Sequence, residues 1–217
     1  MKIRSFLTML ANALLLTGCA SEKNIAMSET FWKDKPQHLA VAESKSITPA
    51  LYKTGNQGLI DLAINSAMTK TLNEQIGRSD ERWYQSLPRE FANRLQKRNI
   101  NLQVVAEAVS DDVKTYPAFA ARLGADELLV IRLEAFGATR NYYSFIPTGA
   151  PKAYCVLFGE LTNEKTHTVL WRHRAMASEM VQGPWDQPPN YPNLMNAIKL
   201  AASDTQEELL DSFFSGH

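Results

Sequence analysis

The period of the apolar positions changes several times along the chain, and each change marks an element. His38-Leu39-Ala40-Val41-Ala42 is a short apolar run between Lys35-Pro36 and polar Glu43 to Ser46, and reads as a first strand. Lys45 to Gly58 carries Pro49, Gly55 and Gly58 and reads as a loop. From Leu59 to Ile76, Ile60, Ile64, Ala67, Met68, Leu72 and Ile76 fall on one helical stripe, which Gly77 is placed to stop. Ser79-Asp80-Glu81 offers a cap, and Trp83, Leu87, Phe91 and Leu95 continue a stripe through Asn99. Pro88 tolerates a first turn but not a helix interior, so either a helix begins near Ser86 or a longer one kinks there.

Leu102, Val104, Ala106 and Ala108 then alternate with Gln103, Val105, Glu107 and Val109, as a strand would, and Tyr116 to Leu123 is a short helix ended by Gly124. Glu127 to Phe136 holds the run Leu128-Leu129-Val130-Ile131, which predicts a central strand buried on both faces. Past an aromatic loop, Ala153 to Leu161 and Thr168 to Met176 are β-patterned runs joined by Thr162-Asn163-Glu164-Lys165-Thr166, a hairpin connection. A Pro-rich stretch from Gly183 to Pro192 leads to a last helix with Leu194, Ile198, Ala201, Ala202, Thr205, Leu209 and Phe213 on one stripe and Asn193 as its cap. Helical crossovers early and a hairpin late predict an α+β (α/β-like) fold: a single mixed β-sheet with helices packed on it.

Ahead of these elements lies a stretch of another kind. Met1-Lys2-Ile3-Arg4 is basic, Phe6 to Leu16 is mostly apolar, and the run is too short to span a bilayer as a mature helix, so residues 1–18 read as a secretory signal. Its end, Leu16-Thr17-Gly18-Cys19, resembles a bacterial lipoprotein box, which implies cleavage after Gly18 and lipidation of Cys19. The alternative is an ordinary signal peptide beside a chance cysteine. Two or more acyl chains hold a protein stably on a bilayer. Ala20 rather than Asp after the cysteine implies, by enterobacterial-type sorting, the outer membrane and a domain facing the periplasm. Residues 19–35 then form a lipidated tether and residues 36–217 one globular domain. Ala20 to Glu29 is polar and aperiodic, and at ~3.3 Å per residue could hold the body up to ~30 Å from the membrane.

Charge changes the picture little. Cleavage removes Lys2 and Arg4 and leaves 199 of the 217 residues, with 21 basic against 23 acidic side chains. Bulk charge therefore attracts neither nucleic acid nor anionic lipid. With Cys19 lipidated, Cys155 has no partner for an internal disulfide.

Two segments carry a further resemblance: Ala121-Arg122-Leu123-Gly124-Ala125-Asp126-Glu127-Leu128-Leu129-Val130, and Gly159-Glu160-Leu161-Thr162-Asn163 with Thr168-Val169-Leu170-Trp171. A helix ending at an LGAD turn into a central strand, followed by a hairpin with a "vLW" strand, resembles the amino-terminal domain of TolB and similar periplasmic lipoproteins. These include the curli-secretion (CsgG-like) lipoprotein and the LpoB-like activators of peptidoglycan synthases. The likeness spans about residues 36 to 214 and implies the fold, an accessory role and no catalytic residues. TolB continues into a propeller for which no chain follows His217, and no lipid-facing strand pair like that of the curli pore is legible.

No glycine-rich phosphate loop, G-x-S-x-G elbow, H-E-x-x-H helix or paired-cysteine metal site occurs. The best catalytic constellation is Cys155 with His167 or His173 on the predicted hairpin; within Ala153-Tyr154-Cys155-Val156-Leu157 the thiol also reads as an inert core cysteine. His167 and His173, six apart on one strand face, would stand ~20 Å from each other at ~3.3 Å per residue, too far for one metal ion. The two aromatic loops supply the binding candidates: Arg140, Tyr142, Tyr143 and Phe145 in the first, Trp185 and Tyr191 in the second. Either their rings form a contact surface or they fold back to cap the sheet.

The expectation is a non-catalytic outer-membrane lipoprotein, without cofactor or metal, acting as adaptor or accessory factor of an envelope assembly for secretion or peptidoglycan synthesis. The alternatives are a peptidoglycan or small-ligand binding module and, behind it, a cysteine-dependent hydrolase. The expected partners are the membrane, through Cys19, and an envelope protein; no spacing encodes the oligomeric state.

Overall fold

The computed structural model describes residues 23–36, 38–44, 50–56, 70, 74, 86–110, 112–143, 146–185, 187 and 191–215. Of the helix expected over Leu59 to Ile76 only residues 70 and 74 are among them, both helical, while Trp83 and residues 1–22 with Cys19 lie outside.

The fold is α+β, one mixed sheet with helices packed on it. Its strands are β1 (Leu39–Glu43), β2 (Ala50–Asn56), β3 (Leu102–Val104), β4 (Glu127–Tyr143), β5 (Ile146–Pro147), β6 (Lys152–Asn163) and β7 (Thr168–Met180). The helices are α1 (Glu29–Asp34), α2 (Leu87–Lys97), α3 (Tyr116–Leu123) and α4 (Pro192–Phe214), with a 3-10 turn at Val113–Thr115. Strand order is β3-β1-β4-β6-β7. β1 runs parallel to both β3 and β4, whereas β4, β6 and β7 are antiparallel in turn.

β4 is the central strand, and it is longer than its apolar run. Leu128 to Ile131 are buried. Beyond Phe136 the strand continues through Tyr143, so Arg140 to Tyr143, expected in a loop, belong to the sheet. Two partners hold that extension. Lys45 to Gly58, expected as a loop, contains β2, whose Ala50–Asn56 pair in parallel with Gly137–Tyr143. On the other edge, Tyr142 and Tyr143 pair with β5. β-branched and aromatic residues at Thr139, Tyr142 and Tyr143 suit an extended backbone, and a backbone ladder overrides the loop signals of Pro49 and Gly55.

β3 is shorter than expected, ending at Val104. The chain departs from the ladder there and returns once, where Val109 bridges Ser44. α2 resolves the question posed by Pro88: the helix starts after Ser86, and Pro88 sits in its first turn, where a missing N–H costs nothing. Gly124 ends α3 as expected, in the left-handed region at φ 65°, and Ala125 N–H returns to Ala120 O at 3.0 Å. In the β6–β7 turn, Asn163 Oδ1 accepts from Lys165 N and Thr166 N at 3.1 and 3.0 Å.

The two sheet faces bury different sets. One receives Leu39, Val41, Leu129, Ile131, Leu133, Cys155, Leu157, Leu161 and Trp171 against α2 and α4. The other receives Ala40, Ala42, Leu128 and Val130 against Tyr116, Phe119 and Ala120 of α3. β1 is consequently buried on both sides, as its uniform apolarity requires.

The chain before β1 is not the tether expected up to residue 35. Ile25 exchanges both backbone hydrogen bonds with Arg172 of β7, at 2.7 and 3.0 Å, and Asn24 Oδ1 accepts from Arg174 N. α1, capped by Ser28, puts Phe31 into the core, edge-on to Phe213 at 6.1 Å. Six residues are too few for a moment to show in the sequence, but one buried ring is enough to dock the turn.

Candidate functional site

Each residue singled out from the sequence now has a place or lies outside the described residues, as Leu16, Thr17, Gly18, Cys19 and Phe145 do. The two aromatic segments do not form one surface. Trp185 is 5% exposed and packs in the main core, with the Arg140 guanidinium 5.9 Å from its ring centroid. Trp185 therefore caps the sheet rather than presenting a hot spot, because a buried indole gains more area there than at a rim. Arg140 is half-buried and donates from Nε to Gly149 O at 3.3 Å, joining the end of β4 to the β5–β6 connection. Tyr191 is also half-buried against the core; at φ 47° its backbone turns the chain into α4. Asn193, expected as the cap of α4, instead donates from Nδ2 to Pro184 O at 2.9 Å and ties the Pro-rich stretch to the helix. Tyr142 contributes backbone pairing with Gly55 and Pro147. Among the aromatic candidates whose side chains are described, Tyr143 stands clear, 66% exposed.

The thiol constellation separates on inspection. Cys155 is 0% exposed, and burial pushes its thiol up to about 12, against a smaller opposing pull from a hydrogen bond with Thr205. A nucleophile must ionise near neutrality, and this one does not. His173 lies on the same face of the hairpin but opposite Gly159, four ladder positions from Cys155, or ~13 Å at ~3.3 Å per residue. Its Nε2 faces Glu208 Oε1 of α4 at 3.2 Å. His167 is not in a strand; it sits in the turn at φ 54°. Among the described residues, no three His, Cys, Asp or Glu side chains gather closely enough to hold a metal.

Charged groups do cluster on the sheet. Glu160, 3% exposed, pairs with Arg172 directly across β6–β7. Glu134 occupies the extra position between Leu133 and Ala135 where β4 slips against β6, and bonds both Arg132 at 3.1 Å and Arg174 at 2.8 Å. The bulge thereby aims one carboxylate at two cations, while Arg132 lies 4.3 Å from the Phe158 ring centroid. At the start of β4, Glu127 is 8% exposed, and burial, reinforced by the Asp126 charge, raises it to about 7 against a hydrogen bond from Asn163.

What the sequence did not single out is a set of exposed apolar side chains: Met176, Met180 and Ile146, at 58, 55 and 54%. The signal was present in β7, where Met176 and Met180 follow Arg172 and Arg174 at even spacing on the strand face away from Trp171 and Ala175.

No family model and no curated protein matches the sequence. Among solved structures the chain is similar to protein XCC0632 of Xanthomonas campestris, from the family DUF330, at 11% identity over 86% of this chain and 88% of that one, with a TM-score of 0.39. It is similar also to lipoprotein GNA1162 of Neisseria meningitidis, at 11% identity over 81% and 99%, TM-score 0.37. A third likeness is to the LpoB C-terminal domain of Salmonella enterica, at 13% identity over 78% and 92%, TM-score 0.22. Likeness of this size carries no statement about activity or partner.

Proposed function

We propose that the protein is a non-catalytic lipoprotein, held on the outer membrane by acyl chains on Cys19 and facing the periplasm, where it serves as an adaptor or accessory factor of an envelope assembly for secretion or peptidoglycan synthesis. The observation that carries the reading is the leader ending in Leu16-Thr17-Gly18-Cys19, only a few residues ahead of the segment at Asn24 and Ile25 that joins the sheet. The buried, un-ionised thiol of Cys155 supports a role without catalysis, since it belongs to the best catalytic constellation legible in the sequence. The burial of Trp185 weighs against glycan stacking on that ring.

Mass spectrometry of the protein purified from cell envelopes tests the anchor. The expected product begins at Cys19 and carries acyl chains, whereas Cys19→Ala yields a soluble or unprocessed form. A mature chain with an unmodified Cys19 overturns the reading. Crosslinking in intact cells followed by detergent extraction tests the adaptor role, with a stoichiometric envelope protein as the expected product. Co-sedimentation of the lipid-free domain with purified sacculi, in the absence of such a protein, would favour the peptidoglycan-binding alternative instead.

A further inference from the structure

Four large apolar side chains are exposed on one face of the sheet. Met176 pairs with Val156, and Met180 with Lys152, which pairs in turn with Thr139; Tyr143 lies four residues beyond Thr139 and pairs with Ile146. Residues directly opposite across an antiparallel ladder share a face, as do residues two apart along a strand. Tyr143, Ile146, Met176 and Met180 therefore all point away from α4, each more than half exposed.

The N-terminal segment indicates what covers them. Asn24 is fixed beside Arg174 by the 3.0 Å bond to its amide, and Ile25 beside Arg172 by two backbone bonds. Cys19 precedes Asn24 by five residues, so even a fully extended chain keeps it within ~18 Å of that place on β7. Met176 and Met180 lie two and six residues past Arg174, or ~7 and ~20 Å along the strand. The reach of Cys19 is long enough to bring the acyl chains to the level of the two methionines on β7. A body held so short must turn one side to the lipid. On α4 itself, Asp204, Glu207, Glu208 and Asp211 are exposed against the single exposed cation Lys199, so an anionic bilayer disfavours that helix surface. On the other side the four apolar side chains share the exposed surface with uncharged Asn141 and Ser178, with the cation of Lys152 among them and Arg174 at their border, the latter paired to Glu134. Tyrosine favours the headgroup level of a membrane, and methionine and isoleucine can enter the acyl boundary.

We propose that Tyr143, Ile146, Met176 and Met180 form a bilayer-contact surface, so that the domain lies against the membrane on this face instead of hanging free from it. The inference rests on the reading of Cys19 as lipidated. The test uses the full mature lipoprotein, purified in detergent and reconstituted into vesicles of phosphatidylethanolamine with a minority of phosphatidylglycerol. Met176→Cys, Met180→Cys and, as a control on α4, Glu207→Cys are each labelled with an environment-sensitive fluorophore; buried Cys155 does not compete. Mass spectrometry first establishes acylation of Cys19, which tests the anchor separately. With acylation present, lipid-borne nitroxides are expected to quench the labels at 176 and 180 several-fold more than the label at 207. Equal, weak quenching at all three sites overturns the contact surface and leaves the anchor standing. Labels at 176 and 180 that resist both lipid-borne and aqueous quenchers would mean that a protein covers the face, which also overturns it. Unmodified Cys19 removes both readings together.

Discussion

Trp171 lies so close over Gly159 that a Cβ built on the glycine would sit 2.4 Å from the indole Cη2. The missing side chain lets the indole cross from β7 onto β6 and meet Phe213 at 4.8 Å and Phe91 at 6.3 Å. Trp171 is 1% exposed, so it has no open space to move into. Gly159→Ala is therefore expected to destabilise the protein by about 1–3 kcal/mol through overpacking. Urea denaturation should show a lower midpoint at unchanged slope; an unmoved midpoint would mean the indole is not confined as described.

Glu127 makes stability depend on pH. Its folded-state value of about 7 exceeds the ordinary 4.5, so the folded form binds more protons than the unfolded form between those limits. Its contribution is complete below about pH 4.5 and is lost as pH rises through about 7, a total of about 3 kcal/mol from this one group. Glu127→Gln should flatten that part of the stability profile and raise the denaturation midpoint at neutral pH. An identical slope for the variant would show that another group sets it.

Phe31→Ala should cost about 3–5 kcal/mol, the usual range for a ring removed from a core. The residue lies ahead of the first strand, yet it is 4% exposed and touches Phe213 and Trp32. Thermal unfolding of the lipid-free domain reads the effect. A change below about 0.5 kcal/mol, typical of surface positions, would mean that α1 is not docked in solution.

Trp185→Ala and Tyr143→Ala should behave oppositely although both residues come from aromatic stretches. Removing the buried Trp185 ring should lower stability by about 3–5 kcal/mol and take one ring contact from Arg140. Removing the 66% exposed Tyr143 ring should leave stability within about 0.5 kcal/mol. Parallel denaturation curves decide this, and equal losses would contradict the placement of one ring.

Cys155 should stay unreactive to an aqueous thiol reagent in the folded protein at pH 8 and react once the chain is unfolded. Burial both excludes the reagent and keeps the thiol protonated. Fast stoichiometric labelling under native conditions would reopen the hydrolase reading.

Much of this architecture was legible in the chain where one periodicity dominated. Leu87, Phe91 and Leu95 named the buried stripe of α2, the run after Glu127 named the centre of the sheet, and Gly124 named the end of α3. Legibility failed where tertiary pairing decides. Ala50–Asn56 became a strand because β4 offers a backbone edge there, something Gly55 and the nearby Pro49 argue against locally. Phe31 and Trp185 stand in polar or Pro-rich surroundings, and only the facing core shows that they are buried. The exposed face of β7 was missed for the converse reason. Two methionines in an alternating strand read as half-buried until the layer opposite them is known.

β4 receives β1 and then β2 along one edge and β6 along the other, and Leu39 finds its partner Glu127 only 88 positions later. A chain that emerges from its amino terminus delivers β1 and β2 well before β4, the strand both of them pair with, exists. β6 and β7, by contrast, meet across a tight turn as soon as both are made. The order of synthesis is thus nearly the reverse of the order in which pairing can be satisfied, and the early strands must be kept from other partners during the interval. A long wait for β4 is a consequence of this topology: until residue 127 has followed, β1 can pair only with the short β3, and β2 has no strand to join.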